Sequence, residues 1–325
     1  MSKKTKFAIV GTSDISEKLV SAMRDCKDIE AAAVYSRTKE KAEEFARKFN
    51  IPETYTSLDE LAKVSSIDAV YIASPNSLHC EQSILMMRGG KHVLCEKPIA
   101  TNVEDFSRML SIANENNVVL LEATRFFHTP GLEMIRQLLP KIGPVRRVSF
   151  LFNQYSSKYD AVKMGETPNI FSKEFAGGAL MDLGIYCIEL MLALFGEPKE
   201  ITSSSIFVRT GVDGQGVIVA KYDGFLAELS YSKISQAATP CVIQGEEGSL
   251  LFLKASIIDK IDVVMKTGEK QQIICYTDEN DMVYELKAFA EIIENPQKAD
   301  IFNDYSMKAQ VILDEVKNQM EKETT

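Results

Sequence analysis

The sequence predicts an α/β protein with a doubly wound parallel sheet in its N-terminal part, followed by an α+β domain whose sheet is open and mainly antiparallel. Two observations support this prediction. Over the first 125 residues, short apolar runs alternate with helical patterns, which indicates parallel strands covered by helices on both faces. After roughly Thr124, strand-like alternation and turn pairs dominate, which indicates an antiparallel sheet. We therefore predict two domains, over residues 1–124 and 125–325.

The predicted first domain contains five buried strands with amphipathic helices between them. The strands are expected at residues 7–10, 31–35, 69–73, 92–95 and 118–121. The helices are expected at residues 15–24, 39–49, 79–88 and 103–116. The strand segments are continuously apolar, whereas apolar residues in the helical segments recur every three to four positions. Together they predict a sheet that is buried on both faces.

The predicted second domain is richer in strands. Strand patterns occur at residues 146–152, 217–222, 225–231, 241–244, 250–253, 261–265 and 272–275. Helices are expected at residues 132–139, 179–195, 282–293 and 306–321. Three turn pairs, Asp213-Gly214, Asp223-Gly224 and Thr267-Gly268, predict hairpins.

The composition argues against several classes of partner. The 325 residues carry a formal net charge of −9 and no clustered lysine–arginine stretch, which disfavours nucleic acid and anionic membranes as main partners. No apolar run approaches the roughly 18 residues that a membrane-spanning helix needs. The six cysteines are scattered without a C-x-x-C pair, and the three histidines have no zinc-type spacing. We expect a cytoplasmic protein with reduced thiols and no metal site.

Gly11 ends the first predicted strand and precedes a helix. This is where a Rossmann fold presents helix N-terminal amides to a pyrophosphate. The local sequence Gly11-Thr12-Ser13-Asp14-Ile15-Ser16 keeps only the first glycine of G-x-G-x-x-G/A. We assign residues 11–15 to dinucleotide binding, with the Ser13 hydroxyl as a candidate phosphate ligand and Asp14 turned to solvent or capping the helix. A plain strand–turn–helix connection is the alternative.

The end of the second strand bears on the choice of cofactor. An NAD-selective site normally has an acidic residue here for the ribose 2′-hydroxyl, but the sequence has Ser36 and Arg37. A hydroxyl and a guanidinium suit a 2′-phosphate instead, and Lys41 adds positive charge one helical turn later. This pattern favours NADP over NAD, with a solvated basic loop as the alternative interpretation.

Two further segments contain candidate catalytic residues. The fourth strand ends in Cys95-Glu96-Lys97-Pro98, and ligands of parallel sheets bind at the carboxyl ends of strands. A lysine there can give or take the proton that accompanies hydride transfer. In the helix after Gly177-Gly178, Asp182, Tyr186 and Glu189 share one face. A polar face on an otherwise apolar helix indicates either a salt bridge or a functional site.

Taken together, these residues resemble the Gfo/Idh/MocA family of glucose–fructose oxidoreductase and inositol dehydrogenase. The resemblance covers essentially the whole chain and rests on Glu96-Lys97-Pro98 and on the helix start with its two glycines, Asp182, Gly184, Tyr186 and Glu189. It implies that Lys97 is the catalytic lysine and that Asp182 contacts substrate or orients the proton relay. Many members have histidine at the position of Tyr186. With tyrosine at this position, the chain resembles the dimeric dihydrodiol dehydrogenase and glucose–fructose oxidoreductase branches of the family. This resemblance implies an acid/base role for Tyr186.

The resemblance also implies roles for two loops and for subunit assembly. Ser74, Pro75, Asn76 and His79 match the loop that passes the nicotinamide ribose, and Glu96 adjoins the catalytic lysine. Arg125 stands where dihydrodiol-type enzymes have tryptophan, and this chain contains no tryptophan. That departure disfavours aromatic dihydrodiols and implies an anionic or polyhydroxylated substrate. A helix-free sheet face in the family implies a homo-oligomer, either a dimer or a tetramer.

The resulting hypothesis is an NAD(P)-dependent enzyme that transfers a hydride between nicotinamide and a carbinol or carbonyl carbon of a sugar-like or polyol substrate. Lys97 and Tyr186 would handle the proton and Asp182 would hold a hydroxyl. Two alternatives remain open. The incomplete glycine turn is compatible with a dinucleotide-binding regulator without turnover, and an NAD-dependent glycosidase can be built on the same fold.

Overall fold

The computed structural model describes residues 4–276 and 278–323. These residues form two compact units. The first unit comprises the chain up to Arg125 together with Glu279–Met307, and the second comprises Phe126–Asp278 together with the chain from Lys308 onward. The segment Glu279–Met307, which the sequence prediction assigns to the second domain, therefore belongs to the first unit. The reason is a helix whose apolar side chains join the core of that unit.

The first unit is built on a six-stranded parallel sheet with the order β3-β2-β1-β4-β5-β6. The strands are β1 Thr5–Val10, β2 Ile29–Tyr35, β3 Glu53–Tyr55, β4 Ala69–Ile72, β5 His92–Glu96 and β6 Leu120–Ala123. The strand order reverses between β1 and β4, which confirms the predicted doubly wound sheet. Strand β3 is absent from the prediction because its three residues are too short to show a pattern.

Helices cover both faces of this sheet. They are α1 Asp14–Met23, α2 Lys39–Phe49, α3 Leu58–Ala62, α4 His79–Arg88, α5 Val103–Glu115, α9 Met282–Glu294 and the first part of α10 Ala299–Glu323. One apolar core includes Phe7 of β1 and Phe289 of α9, whose ring centroids lie 5.8 Å apart. The other includes Val70 of β4 and Phe106 of α5. The helix α9 therefore completes the face that α1 also covers.

The second unit contains an eight-stranded sheet with the order β14-β13-β12-β11-β7-β10-β9-β8. The strands are β7 Val145–Asn153, β8 Glu200–Phe207, β9 Asp213–Lys221, β10 Leu226–Ser232, β11 Cys241–Gly245, β12 Gly248–Phe252, β13 Lys260–Met265 and β14 Lys270–Ile274. Only the β7–β10 pair is parallel. The prediction of a mainly antiparallel sheet is confirmed.

One predicted turn is wrong. Asp213-Gly214 lies at the start of β9 rather than between strands. The connection from β8 to β9 comprises residues 208–212, directly before Asp213. In it, the Val208 amide donates to the Val212 carbonyl at 2.9 Å, and Gly211 adopts a φ of +79°. The sequence prediction also missed β8, because a run of serines interrupts its apolar alternation.

The helices of the second unit are α6 Pro130–Leu138, α7 Tyr159–Lys163, α8 Ile185–Phe195 and the last part of α10. The predicted helix 179–195 begins with a π-helical turn, Leu180–Gly184, and continues as α8. Helix α8 packs on the buried face of β7 and β10, where Phe195 stacks near Phe150 at 6.5 Å between ring centroids. Across residues 4–276 and 278–323, no helix combines the length and apolar character needed to span a bilayer.

Candidate active site

The turn after β1 is shaped by Gly11. Its φ is +114°, and a Cβ atom there would lie 2.6 Å from the Ala73 carbonyl oxygen, so only glycine allows this close passage of the two strand ends. Ser13 and Asp14 are exposed at the start of α1, and the Ser13 hydroxyl makes no capping hydrogen bond. An exposed helix N-terminus with a serine at its cap fits the pyrophosphate role that the sequence predicts.

The end of β2 presents basic side chains to solvent. Arg37 and Lys41 are exposed, one helical turn apart, whereas Ser36 is mostly buried and its amide donates to the Tyr55 carbonyl at 3.2 Å. The two cations are therefore accessible to a phosphate group. The Ser36 hydroxyl is less accessible than the sequence prediction assumes.

His79 is buried behind the loops that follow β4 and β5. Its Nδ1 lies 2.9 Å from the Pro98 carbonyl oxygen, and its Nε2 lies 2.8 Å from the Ser74 carbonyl oxygen. Burial lowers the pKa of His79, although both carbonyls and the Glu96 carboxylate oppose this. With no exposed surface, His79 ties the two loops together. The half-buried Ser74, Pro75 and Asn76 remain the part of this loop that a ligand can reach.

Lys97 follows directly on β5 and is half-buried. The preceding Glu96 is buried, and one of its oxygens accepts a hydrogen bond from the hydroxyl of the fully buried Tyr71. Its other oxygen lies 3.3 Å from the Lys97 amide nitrogen, which donates to it. Glu96 is therefore held within the first unit, whereas Lys97 reaches the surface at the carboxyl end of the sheet, where ligands of such sheets bind.

Two carboxylates of the first unit, Asp281 and Glu285, interact with charged residues at the ends of β5 and β6. Arg125 donates to Asp281 at 2.8 Å, and the two side chains are 17% and 11% exposed. Asp281 therefore compensates the positive charge of Arg125. Glu285 of α9 is fully buried, and neither of its oxygens has a hydrogen-bond partner among the described residues. Burial raises the pKa of Glu285 well above its usual value, and the nearby Glu96 adds to this.

In the second unit, Asp182 lies in the π-helical turn and Tyr186 in the first turn of α8. The Tyr186 ring packs against Phe152 with 5.5 Å between ring centroids. The Asp182 carboxylate forms a salt bridge of 2.7 Å with the Lys233 ammonium. At Asp182 the polar helix face therefore contains a salt bridge, which is one of the two interpretations that the sequence left open. The Asp182 side chain nevertheless remains 33% exposed, so it can also meet a ligand.

Two glycines, Gly178 and Gly184, allow the close contacts made by the π-helical turn before α8. Gly178 has a φ of +128°, and a Cβ atom there would lie 2.1 Å from Oδ1 of Asp213. The other oxygen of Asp213 accepts the Leu180 amide at 2.7 Å. Burial raises the pKa of Asp213 to about 6, although the bound amides oppose this. Gly184 faces the ring of Tyr231, where a Cβ atom would lie 3.0 Å away. π-Helical turns are often found at functional sites.

Two family models match this sequence. Residues 5–124 match the oxidoreductase family with an NAD-binding Rossmann fold, GFO_IDH_MocA, and residues 134–251 match the C-terminal domain of the same family.

The chain belongs to the Gfo/Idh/MocA family. The predictions of this family, of an oxidoreductase and of a nicotinamide dinucleotide cofactor are confirmed.

Curated relatives match three quarters or more of the chain. The scyllo-inositol 2-dehydrogenase (NADP(+)) IolU of Bacillus subtilis is 39% identical over 317 residues, which cover 97% of each chain. The uncharacterized oxidoreductase YgjR of Escherichia coli is 40% identical over 89% of this chain and 88% of its own. The trans-1,2-dihydrobenzene-1,2-diol dehydrogenase of Danio rerio is 34% identical over 75% of this chain and 73% of its own.

A solved structure shares the fold of this Gfo/Idh/MocA chain. The 3-ketoreductase KijD10 of Actinomadura kijaniata, solved with NADP and TDP-benzene, superimposes with a TM-score of 0.89 and 22% sequence identity, covering 98% of each chain. At this level of identity the comparison shows the common architecture alone.

Lys233 and Glu285 are among the buried charged residues of this Gfo/Idh/MocA chain that sequence reasoning missed. Lys233 directly follows β10 and continues the spacing of the buried Leu229 and Tyr231, so its side chain falls on the buried side. Glu285 lies on the apolar face of α9 between Met282 and Phe289. In both cases the available signal was a charged residue in an apolar position, which requires a partner or a function.

Within the described part of the chain, no group of three or more His, Cys, Asp or Glu side chains is placed to hold a metal ion.

Proposed function

We propose that this protein catalyses NADP-dependent hydride transfer between nicotinamide and a carbinol or carbonyl carbon of a cyclic polyol or sugar-like substrate. The main support is the near-full-length similarity to an NADP-dependent scyllo-inositol 2-dehydrogenase. A half-buried lysine after β5 and a partly exposed carboxylate in the π-helical turn agree with this proposal.

The first unit would bind the dinucleotide. The exposed N-terminus of α1 after Gly11 fits a pyrophosphate, because its amides have no helical partner. Arg37 and Lys41 would bind the 2′-phosphate that distinguishes NADP. When bound, the nicotinamide supplies or accepts the hydride. The accessible part of the loop after β4, Ser74–Asn76, would pass the ribose.

The chain's own residues would then handle the hydroxyl and its proton. We propose that Lys97 and Tyr186 move the proton between the substrate oxygen and solvent. General acid–base groups of this kind contribute about 10²–10⁴-fold to a rate. Asp182 would accept a hydrogen bond from a second substrate hydroxyl, since its carboxylate is partly exposed. Arg125, already neutralised by Asp281, would donate to a further hydroxyl.

Steady-state kinetics with NADP and a panel of cyclic polyols including scyllo-inositol would test this function. We expect turnover by the wild type, and a fall in kcat of about 10²–10⁴-fold for Lys97→Met and for Tyr186→Phe. Lys270→Met, which removes an exposed lysine in β14, is the control and should retain activity. Turnover of Lys97→Met at the wild-type rate would contradict the assignment. Tight NADPH binding without turnover of any polyol or sugar would favour the regulator alternative.

We also propose that the protein acts in the cytoplasm as a homo-oligomer that pairs through the open face of the eight-stranded sheet. Helix α8 packs on the opposite face. On the open face, Val217 and Val219 of β9 remain 38% and 39% exposed, and apolar side chains in such a position favour an interface. Light scattering after gel filtration should report a dimer or tetramer for the wild type and a smaller species for Val217→Lys. A monomeric wild type would contradict the proposal.

A further inference from the structure

Lys233 is one of two lysines that are buried among the described residues; the other is Lys91. Lys91 donates to two backbone carbonyls in the first unit. Lys233 makes different contacts. Its ammonium forms the 2.7 Å salt bridge with Asp182, donates to the Ile170 carbonyl at 3.0 Å and lies 4.7 Å from the centroid of the Phe171 ring. A buried cation is costly without such compensation.

The two ends of this salt bridge differ in exposure. The Lys233 side chain is 2% exposed, whereas that of Asp182 is 33% exposed. The cation is therefore part of the interior, and the carboxylate it holds faces solvent. A buried partner can hold a partly exposed carboxylate in one orientation before a ligand binds, and binding sites depend on such fixed groups.

We propose that Lys233 is a positioning residue that fixes the Asp182 carboxylate in the orientation that binds a substrate hydroxyl. The substrate role of Asp182 rests on the function proposed above. The position of Lys233 itself is fixed by the fold: its amide donates to the Gly214 carbonyl at 2.8 Å, and its carbonyl accepts the Ser156 amide at 2.9 Å. The ring of Phe171 and the carbonyl of Ile170 then hold its side chain.

A second charged group beside Lys233 is Asp213, whose carboxylate interacts electrostatically with the ammonium. Asp213 is 6% exposed and binds the amide of Leu180 at the start of the π-helical turn. Its place is therefore structural. Of these two carboxylates, Asp182 is the more exposed and can reach a ligand.

A double-mutant cycle separates positioning from general stabilisation. We expect Lys233→Met to lower kcat/KM by about 100-fold, since a displaced site group commonly costs that much. Because Lys233 acts through Asp182, the double variant Lys233→Met/Asp182→Asn should be nearly as active as Asp182→Asn alone. Fully additive losses would overturn the proposal. Lys91→Met is the matched control, because it removes the other buried lysine and should leave kcat/KM near the wild-type value.

A second measurement needs no turnover and therefore remains informative even if the proposed function fails. The carboxyl carbon of Asp182, assigned in ¹³C NMR spectra by comparison with Asp182→Asn, is followed as a function of pH. We expect its titration midpoint to rise by at least about one pH unit in Lys233→Met, because a neighbouring cation favours the ionised form. Lys233→Gln, which keeps a donor for Ile170, serves if the methionine variant does not fold. An unchanged midpoint would overturn the proposal.

Discussion

At the scale of single residues, two buried ionisable side chains, Lys233 and Glu285, differ in whether they have hydrogen-bond partners. Lys233 is paired with a carboxylate and a carbonyl. Glu285 is fully buried with no hydrogen-bond partner for either oxygen among the described residues. Burial raises the pKa of Glu285 well above the usual value of 4.5. The folded protein therefore keeps a proton that the unfolded chain releases above this pH, and stability falls as pH rises from about 4.5 toward the folded pKa.

This residue gives a prediction about stability. We expect Glu285→Met to raise the free energy of unfolding by about 1–3 kcal/mol at neutral pH, because an apolar side chain of similar shape removes an unsatisfied buried polar group. The gain should shrink as pH is lowered toward 4.5. Urea denaturation at several pH values measures it. Glu285→Gln is the control, since it removes the titration but keeps a polar group. Identical pH dependence in all three proteins would contradict the prediction.

The catalytic candidates were predictable because local patterns identify them. Lys97 follows a strand end, and Asp182 and Tyr186 share a helix face. The partners of these residues were not predictable, because they come from distant parts of the chain. The ammonium that holds Asp182 is 51 positions away at Lys233, and the carboxylate that neutralises Arg125 is 156 positions away at Asp281. No local spacing encodes such pairs.

At the scale of elements, the π-helical turn Leu180–Gly184 is the feature that sets Asp182 in place. The sequence predicts a helix over 179–195 correctly, but apolar periodicity does not distinguish a π turn from an α turn. A tertiary contact accompanies the turn: Asp213 of β9 accepts the Leu180 amide, and its other oxygen approaches position 178 so closely that glycine is required there.

Gly178→Ala tests this account. Its φ of +128° is strained for alanine, and the added Cβ would lie 2.1 Å from Oδ1 of Asp213. We expect a loss of stability of more than about 1 kcal/mol together with reduced activity. Gly165→Ala is the matched control: its φ is +102° and a Cβ there meets no atom within 4 Å, so it adds backbone strain alone. Thermal denaturation compares the two, and equal losses would show that the contact with Asp213 is unimportant.

At the scale of the whole molecule, the chain forms two compact units, and each is made of two separate segments. The sequence indicates a boundary near residue 124, where the alternation of strands and helices ends. It does not indicate that Glu279–Met307 returns to the first unit, because an amphipathic helix such as α9 shows which face is apolar but not which sheet that face covers.

Because Glu279–Met307 is part of the first unit, we predict that a fragment without it does not fold correctly. Residues 1–125 alone lack α9, so the core around Phe7 loses its contact with Phe289. We expect this fragment to bind a hydrophobic dye and to aggregate. Adding residues 279–307 through a short Gly-Ser linker should give a folded, NADPH-binding protein, since Arg125 and Asp281 pair at 2.8 Å. A monomeric 1–125 fragment with native near-ultraviolet circular dichroism would contradict this.

The split arrangement of the first unit also affects its synthesis on the ribosome. The nucleotide-binding half cannot finish its hydrophobic core until α9 has been translated, after the whole of Phe126–Asp278. At roughly 5–20 residues per second, the nascent polypeptide waits on the order of ten seconds or more with one face of its first sheet uncovered. During that interval we expect the uncovered sheet to bind ribosome-associated chaperones. The second unit also completes its fold late, because it includes the chain from Lys308 onward.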